Sequence, residues 1–294
     1  MEMVQPTTWA DALAAKASDP DLLPIAGGTD VMVEMNFDRR RPTGLLDLTR
    51  VDELRTWTVD AGTVALGAGV TYAEVIADLG QLLPGLAMAS RTVGSPQIRN
   101  RGTVGGNLGS ASPAGDAHPP LLASRAVVEV ASVRGSRRIP VHEFFTGVKR
   151  SALQPDELIR AVHVPAARGP EQFSKIGTRN AMVIAVTSFA LALDPSERRV
   201  GTGVGSAAPT PRRALEAEEY LTDALQTAGC WESREHPATS VVRRFGELVA
   251  EAASPIDDVR GTADYRRHAL AVMARRTLTW AWDELRDDDQ EVAG

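Results

Sequence analysis

Two glycine-rich segments contain the residues of this sequence whose types and spacing could do chemistry. The longer runs from Arg99 to Asp116 and the shorter from Ile25 to Asp30. Glycine has no Cβ to hold a ligand away and it tolerates positive φ. Successive N–H groups in a tight glycine-rich turn therefore form a concave site that accepts phosphate oxygens. Two such turns on one chain predict a long ligand whose central pyrophosphate is held from two sides. The glycines concerned are Gly27, Gly28, Gly102, Gly105, Gly106, Gly109 and Gly115.

Charged residues near these segments allow two interpretations each. Asp116 closes the longer segment, and because a carboxylate repels phosphate it suits ligand hydroxyls or a ring N–H; the alternative is an Asx turn that orders its own loop. Lys175 lies in an apolar strand-like run, where it either contacts a ligand or lies on a solvated face. Arg99 and Arg101 are the nearby cations, with surface solvation as their alternative.

Other motifs in the sequence do not support a second type of site. Gly67-Ala68-Gly69 follows a strand-like run as a dinucleotide fingerprint would, but Tyr72 stands where its third glycine is needed, which argues against a Rossmann fold. The five histidines lack metal-ligand spacing. Cys230 is the single cysteine, so this chain alone provides neither an internal disulfide nor the roughly four thiolates of an iron–sulfur cluster.

Bulk composition narrows the class of protein. The 294 residues carry a net charge of −6 with 43% hydrophobic residues, which disfavours nucleic-acid partners because these require a basic surface. No apolar run approaches the roughly 20 residues of a membrane span. The N-terminal residues lack the pattern of a secretory signal. We therefore expect a cytoplasmic protein with no membrane span.

The order of predicted elements indicates an α+β fold with a boundary near residue 168. Short strands, helices and the hairpin Val127–Val141 come first, and three strands followed by helices come after the boundary. Thr8 is predicted to cap the first helix, and Thr71 with Glu74 to form a capping box. Asp264 is predicted to cap the last long helix. We expect the acidic tail from 287 to 294 to fray.

Motifs along nearly the whole chain resemble the FAD-binding subunit of the molybdenum hydroxylases, a family that includes xanthine dehydrogenase and carbon monoxide dehydrogenase. The most specific are Ala26-Gly27-Gly28-Thr29-Asp30 and Thr103-Val104-Gly105-Gly106-Asn107, the latter followed by Ser112-Pro113 and Asp116. Further similarity covers Gly67 to Tyr72, Gln97 to Asn100, Leu153 to Ile159, Phe173 to Lys175, Ala207 to Arg212 and Tyr265 to Arg267. The run from Ser132 to Ile159 is most similar to the bacterial xanthine dehydrogenase branch.

The resemblance implies a fold, a domain division and a cofactor site. The fold would be a PCMH-type FAD-binding domain of two α/β lobes over 1–168, then a smaller C-terminal α+β domain over 169–286 with an antiparallel sheet and helices. FAD would be held without a covalent bond, and no catalytic base or metal ligand is implied on this chain. The implied FAD-binding residues are Ala26, Gly27, Gly28, Thr29, Asp30, Thr103, Gly105, Gly106, Asn107, Asp116, Ile159 and Lys175.

The resemblance also implies a role in electron transfer. A molybdopterin-binding large subunit and a small subunit with [2Fe–2S] clusters would pass electrons to this FAD and on to NAD⁺ or another acceptor. The implied substrates are purines such as xanthine. A dimer of heterotrimers is expected. One departure bears on the acceptor, because Val183 stands where the family often has Asp. The alternatives are a carbon monoxide or other-substrate dehydrogenase subunit, a self-contained PCMH-fold flavin oxidoreductase, and a binding module that has lost flavin.

Overall fold

A small parallel sheet forms the first lobe of the chain. The computed structural model describes the backbone of residues 2–293 and the side chains of residues 2–287. The elements of this lobe are β1 (Glu2–Val4), α1 (Trp9–Ser18), β2 (Leu23–Ile25), α2 (Val31–Asn36) and β3 (Gly44–Asp47). Strand β3 lies between β1 and β2, parallel to both. Thr8 accepts a hydrogen bond from the Asp11 N–H, which confirms it as the N-cap of α1.

An antiparallel sheet of five strands forms the second lobe, with the order β4-β5-β10-β6-β7. Helices between its strands carry the longer glycine segment. The elements are a 3-10 helix (Asp52–Leu54), β4 (Trp57–Asp60), β5 (Thr63–Gly67), α3 (Tyr72–Asp78), α4 (Pro84–Arg91), α5 (Pro96–Arg99), α6 (Val104–Ser110), α7 (His118–Ala123), β6 (Val127–Ser132), β7 (Gly135–Pro140), α8 (Val141–Phe144), β8 (Phe145–Gly147), β9 (Arg150–Ser151) and β10 (Leu158–Pro165). Strands β6 and β7 form the expected hairpin. The capping box of Thr71 and Glu74 at α3 is confirmed.

The C-terminal part pairs a three-stranded antiparallel sheet with helices. Its elements are β11 (Glu171–Ile176), β12 (Thr187–Asp194), β13 (Arg199–Gly205), α9 (Leu215–Thr227), α10 (Cys230–Ser233), α11 (Thr239–Glu251) and α12 (Ala263–Ala293). Phe189 and Val204 of the sheet and Phe245 and Trp282 of the helices lie in one buried cluster. A separate cluster fills the second lobe and includes Trp9, Ala12 and Leu46 of the first. Strands followed by segregated helices confirm the α+β fold class.

Two local expectations differ from the structure. The longer glycine segment is not all loop, because Thr103 caps helix α6 and Val104 and Leu108 anchor it in the core. Asp264 lies inside α12; the Tyr265 N–H donates to Thr262 instead, so Thr262 performs the capping. The expectation that the acidic tail from 287 to 294 frays falls on residues whose side chains from 288 onward, together with Gly294, lie outside the described residues.

Candidate functional site

The two glycine segments lie in direct contact. A Cβ on Gly27 would be 1.9 Å from the carbonyl oxygen of Arg101, so only glycine permits this approach. A Cβ on Gly102 would come 3.5 Å from Oγ1 of Thr29. The fold therefore brings together two turns that are more than 70 residues apart in the sequence. This is the convergence that a ligand held from both sides requires.

Helix α6 begins at the contact between the segments. The Thr103 hydroxyl accepts from the Gly106 N–H at 2.9 Å, and the Val104 N–H donates to the Val70 carbonyl at 3.2 Å. A Cβ on Gly105 would lie 2.5 Å from Cβ and from the carbonyl oxygen of Ala68, so this glycine lets the helix pack on the end of β5. Gly106 is exposed. Among the described residues, the Gly105 N–H has no hydrogen-bond acceptor.

The shorter segment presents backbone donors beside this helix. Gly28 has a φ of +75°, a conformation that favours glycine, and it turns the chain from β2 into α2. Within the described part of the chain, the N–H groups of Gly28, Thr29 and Asp30 have no acceptor. Ala26 and Thr29 are half-buried, and the Asp30 side chain is exposed. These free donors at a positive helix end suit an anionic group.

A buried ion pair joins the second lobe to the C-terminal sheet. Lys175 Nζ lies 2.6 Å from Asp116 Oδ2, with side-chain exposures of 7% and 10%. The ammonium also donates to the Thr92 carbonyl at 3.2 Å, and the Thr92 hydroxyl lies 3.4 Å from the same carboxylate oxygen. Burial raises the pKa of the Asp116 carboxyl, against the lowering effect of Lys175 and Thr92. Lys175 is therefore not a solvated surface residue.

Several buried polar atoms next to the glycine segments have no protein partner. They are Asn107 Oδ1, Asp116 Oδ1, His118 Nδ1 and the Tyr72 hydroxyl. Burial, with the charges of Asp116 and Asp30, raises the pKa of Tyr72 well above its usual value, so the phenol remains protonated. Unpaired buried polar atoms are rare in native proteins. Their concentration here indicates a place where a polar ligand completes the hydrogen bonding.

Sequence reasoning missed two residues of this region. Tyr72 stands at the position that argues against a Rossmann fingerprint, and its ring lies against Gly102. His118 is fully buried; its Nε2 lies 3.2 Å from the Asn107 carbonyl oxygen, and its ring packs against that of Phe145 in a tilted arrangement. Burial lowers its pKa to about 4. His118 follows the longer glycine segment by two residues, so its position in the sequence could have indicated it, whereas Tyr72 is distant from both segments along the sequence.

The remaining predicted residues divide between the site and other roles. Ile159 is buried on β10, and a Cβ on Gly109 of α6 would come 3.9 Å from its Cδ1, so it lies beside the glycine helix. The Arg99 guanidinium donates to the carbonyls of Arg91, Val93 and Gly94. Arg99 thus stabilises the end of α4. Arg101 contributes its backbone carbonyl to the contact with the shorter segment.

Two further observations concern chemistry that this chain could perform. In the part of the chain that the structure describes, no three His, Cys, Asp or Glu side chains converge to hold a metal ion. The described residues also contain no helix that is both long and apolar enough to cross a membrane. Free backbone donors, unpaired oxygens and a buried acid–lysine pair together form a site suited to a polar, phosphate-containing ligand. Such an arrangement is compatible with a nucleotide-type cofactor in a mixed α/β chain.

Comparison with known proteins identifies the class. Residues 1–167 match the family model described as FAD binding domain in molybdopterin dehydrogenase, and residues 172–281 match the CO dehydrogenase flavoprotein C-terminal domain. The putative xanthine dehydrogenase FAD-binding subunit XdhB of Escherichia coli K12 is 31% identical over 93% of both chains. The nicotine 6-hydroxylase medium subunit of Paenarthrobacter nicotinovorans is 30% identical over 94% of this chain and 95% of its own.

A solved structure agrees with these relatives. A chain of carbon monoxide dehydrogenase from Hydrogenophaga pseudoflava, in a form that lacks the Mo-pyranopterin moiety of its molybdenum cofactor, superposes with a TM-score of 0.88 at 27% identity, covering 97% of this chain and 98% of that one. The present chain therefore belongs to the FAD-binding subunits of the molybdenum hydroxylase family, as the motifs predicted. It is an oxidoreductase subunit.

Proposed function

We propose that this chain binds FAD without a covalent bond at the contact between its two glycine segments. The observation that carries the proposal is the approach of Gly27 to Arg101, because it brings the two segments with free N–H groups together and so supports a single ligand held by both. The residues proposed to hold FAD are those predicted from the sequence, namely Ala26, Gly27, Gly28, Thr29, Asp30, Thr103, Gly105, Gly106, Asn107, Asp116, Ile159 and Lys175, with Tyr72 added because of its unpaired hydroxyl.

The proposed residues differ in chemistry, and each group suits a different part of FAD. Backbone donors of the glycine segments suit the pyrophosphate, because amide N–H groups at helix starts bind anions. Asp116 and Asn107 have unpaired oxygens that suit ligand hydroxyls or a ring N–H, while Ile159 offers an apolar contact. Lys175 keeps the Asp116 carboxylate compensated in a buried place. The fit supports FAD rather than a phosphate-free ligand.

Bound FAD would accept electrons and pass them on as a pair, which is the chemistry that the cofactor itself supplies. The chain's own part is to bind, orient and shield that cofactor. We propose that the electrons come from partner subunits, a small one with [2Fe–2S] clusters and a large one with molybdopterin, because the curated relatives are medium or FAD-binding subunits. The dimer of heterotrimers and the cytoplasmic location remain predictions.

The substrate and the electron acceptor are the finer parts of the proposal. Xanthine or another purine is favoured by the similarity to XdhB, whereas the nicotine and carbon monoxide relatives support other substrates for the complex. NAD⁺ is proposed as the acceptor. Val183 bears on the choice of acceptor, because the family resemblance leads to an acid being expected at this position. Its side chain packs against Gly177, where a Cβ would lie 2.2 Å from Val183 Cγ1.

Purification of the chain with the proteins it associates with tests the proposal. We expect FAD, molybdenum and iron in the purified complex, and flavin reduction by substrate only when the partner subunits are present. Flavin reduced by a small substrate in the isolated chain would favour the self-contained oxidoreductase. A complex with molybdenum and iron but no FAD would contradict the proposed function.

A further inference from the structure

Strand β11 contacts helix α4 at both of the helix ends. At the first end, the Gly85 N–H donates to Glu171 Oε2 at 3.0 Å. At the second end, Lys175 Nζ donates to the Thr92 carbonyl at 3.2 Å. Helix α4 belongs to the part that matches the FAD-binding domain, whereas β11, apart from its first residue Glu171, lies in the part that matches the C-terminal domain. One strand thus holds a helix across the boundary between the two.

The charges on β11 match the polarity of the helix. A helix carries partial positive charge at its N-terminus and partial negative charge at its C-terminus, so an acid at the first and a cation at the second are both favourable. Residues i and i+4 of a strand lie on one face, about 13 Å apart. Thr92 is seven positions after Gly85, which corresponds to a helical rise of about 10 Å. The spacing of Glu171 and Lys175 therefore fits the length of α4.

The contact at Gly85 is close and buried. A Cβ there would lie 3.0 Å from Glu171 Oε2 and 3.1 Å from Glu171 Cβ, and Glu171 is only 7% exposed. The next residue, Gln172, bonds in a different direction, to Glu284 of α12. Glu171 is thus the side chain that joins β11 to the start of α4.

We propose that Glu171 is a positioning residue that fixes the register of β11 along α4 and thereby holds the Lys175 ammonium against Asp116 in the cofactor site. The inference rests on the proposed function, because it takes that site to bind FAD. The Lys175 nitrogen that bonds the Thr92 carbonyl is the same atom that lies 2.6 Å from Asp116. A shift of β11 along α4 would move this ammonium away from both partners.

The test compares three variants of the full chain at pH 7. Glu171→Ala removes the acceptor for the Gly85 N–H, Glu171→Gln keeps an acceptor oxygen, and Gln172→Ala is the matched control on the same strand. Quenching of FAD fluorescence gives the dissociation constant, and hydrogen exchange gives protection of the Gly85 amide. We expect Glu171→Ala to weaken FAD binding at least about fivefold and to lose that protection. Glu171→Gln should restore the FAD dissociation constant and the protection of the Gly85 amide to within about twofold of wild type. Gln172→Ala should leave the dissociation constant and the protection unchanged.

Three results would overturn the positioning role. The first is wild-type FAD affinity in Glu171→Ala, and the second is a failure of Glu171→Gln to restore FAD affinity. The third is a loss of FAD affinity in Gln172→Ala as large as that in Glu171→Ala. If Glu171→Ala does not fold, Gly85→Ala replaces it, because its methyl group would crowd the same oxygen, and wild-type affinity in that variant would also overturn the inference. A wild-type chain that binds no FAD would instead contradict the proposed function itself.

Discussion

Replacing Gly106 by alanine should weaken ligand binding at helix α6 while leaving folding nearly unchanged. Gly106 is exposed on α6, and a Cβ there would meet a single neighbour within 4 Å, Thr103 Oγ1 at 2.9 Å. That oxygen is the N-cap acceptor of the Gly106 N–H. Alanine gains about 1 kcal/mol over glycine in a helix. Moving the cap oxygen costs part of the roughly 1 kcal/mol that an N-cap contributes.

These effects offset each other, so the free energy of unfolding of the cofactor-free chain should change by less than about 1 kcal/mol. The new methyl group would stand on the face where the proposed site meets the pyrophosphate of FAD. We therefore expect the dissociation constant for FAD to rise at least about tenfold, equivalent to about 1.4 kcal/mol.

Fluorescence titration with FAD and denaturant unfolding without FAD together measure both quantities. Gly80→Ala is the matched control, because a Cβ there would have only ordinary contacts, 3.6 Å from the Ile76 carbonyl oxygen and 3.9 Å from Ala87 Cβ. The control should bind FAD as the wild type does. Wild-type FAD affinity in a stable Gly106→Ala variant would refute the assignment of α6 to the cofactor site.

Four further predictions concern buried polar groups. Burial lowers the pKa of His118 from 6.5 to about 4, so the native state binds fewer protons than the unfolded chain in that window. Relative to His118→Gln, wild-type stability should fall by about 3 kcal/mol as the pH drops from 6.5 to 4 in denaturant titrations, and a constant difference would contradict this. Burial, with the charge of Glu284, raises the pKa of Glu171 from 4.5 to about 7, although the Gly85 N–H opposes it. The pH dependence therefore has the opposite sign to that of His118. Relative to Glu171→Gln, the free energy of unfolding of the wild type should fall by about 3 kcal/mol as the pH rises from 4.5 to 7, and the same pH dependence in both proteins would disprove this prediction. Arg266 donates to the carbonyls of Val186 and Ser206 and pairs with Asp258; Arg266→Met should cost about 3–5 kcal/mol in thermal or denaturant unfolding, and a loss below 1 kcal/mol would show that these groups are solvated. Tyr72→Phe removes an unpaired hydroxyl, so cofactor-free stability should stay within about 1 kcal/mol of wild type while FAD binding weakens about fivefold; unchanged affinity would mean that the hydroxyl does not face the ligand.

Local signals in the sequence predicted much of the fold. The caps at Thr8 and Thr71 and the hairpin of β6 and β7 depend on neighbouring residues, and each is confirmed. The prediction of a long glycine-rich loop was wrong because the glycines of α6 are helical, with Thr103 as cap and Val104 in the core. Asp264 was the wrong cap because Thr262, two residues earlier, has the geometry to accept from the first turn.

The sequence allowed residues to be proposed for the candidate site, but it did not indicate the contacts between them. Glycine content indicated the two segments, yet their meeting depends on the close approach of Gly27 to Arg101. Lys175 and Asp116 are 59 residues apart, and no local pattern pairs them. Arg99 carries a charge suited to phosphate, but three carbonyls at the end of α4 take its guanidinium. The partners of these charged side chains are determined by tertiary contacts, which the local sequence does not encode.

Competition between FAD and its fragments tests the central claim most directly. In equilibrium dialysis against the purified chain, we predict one FAD bound per chain, displacement of FAD by ADP, and far weaker binding of riboflavin, because both glycine segments would hold the pyrophosphate. A chain that binds riboflavin as tightly as FAD, or from which ADP displaces no FAD, would contradict the account.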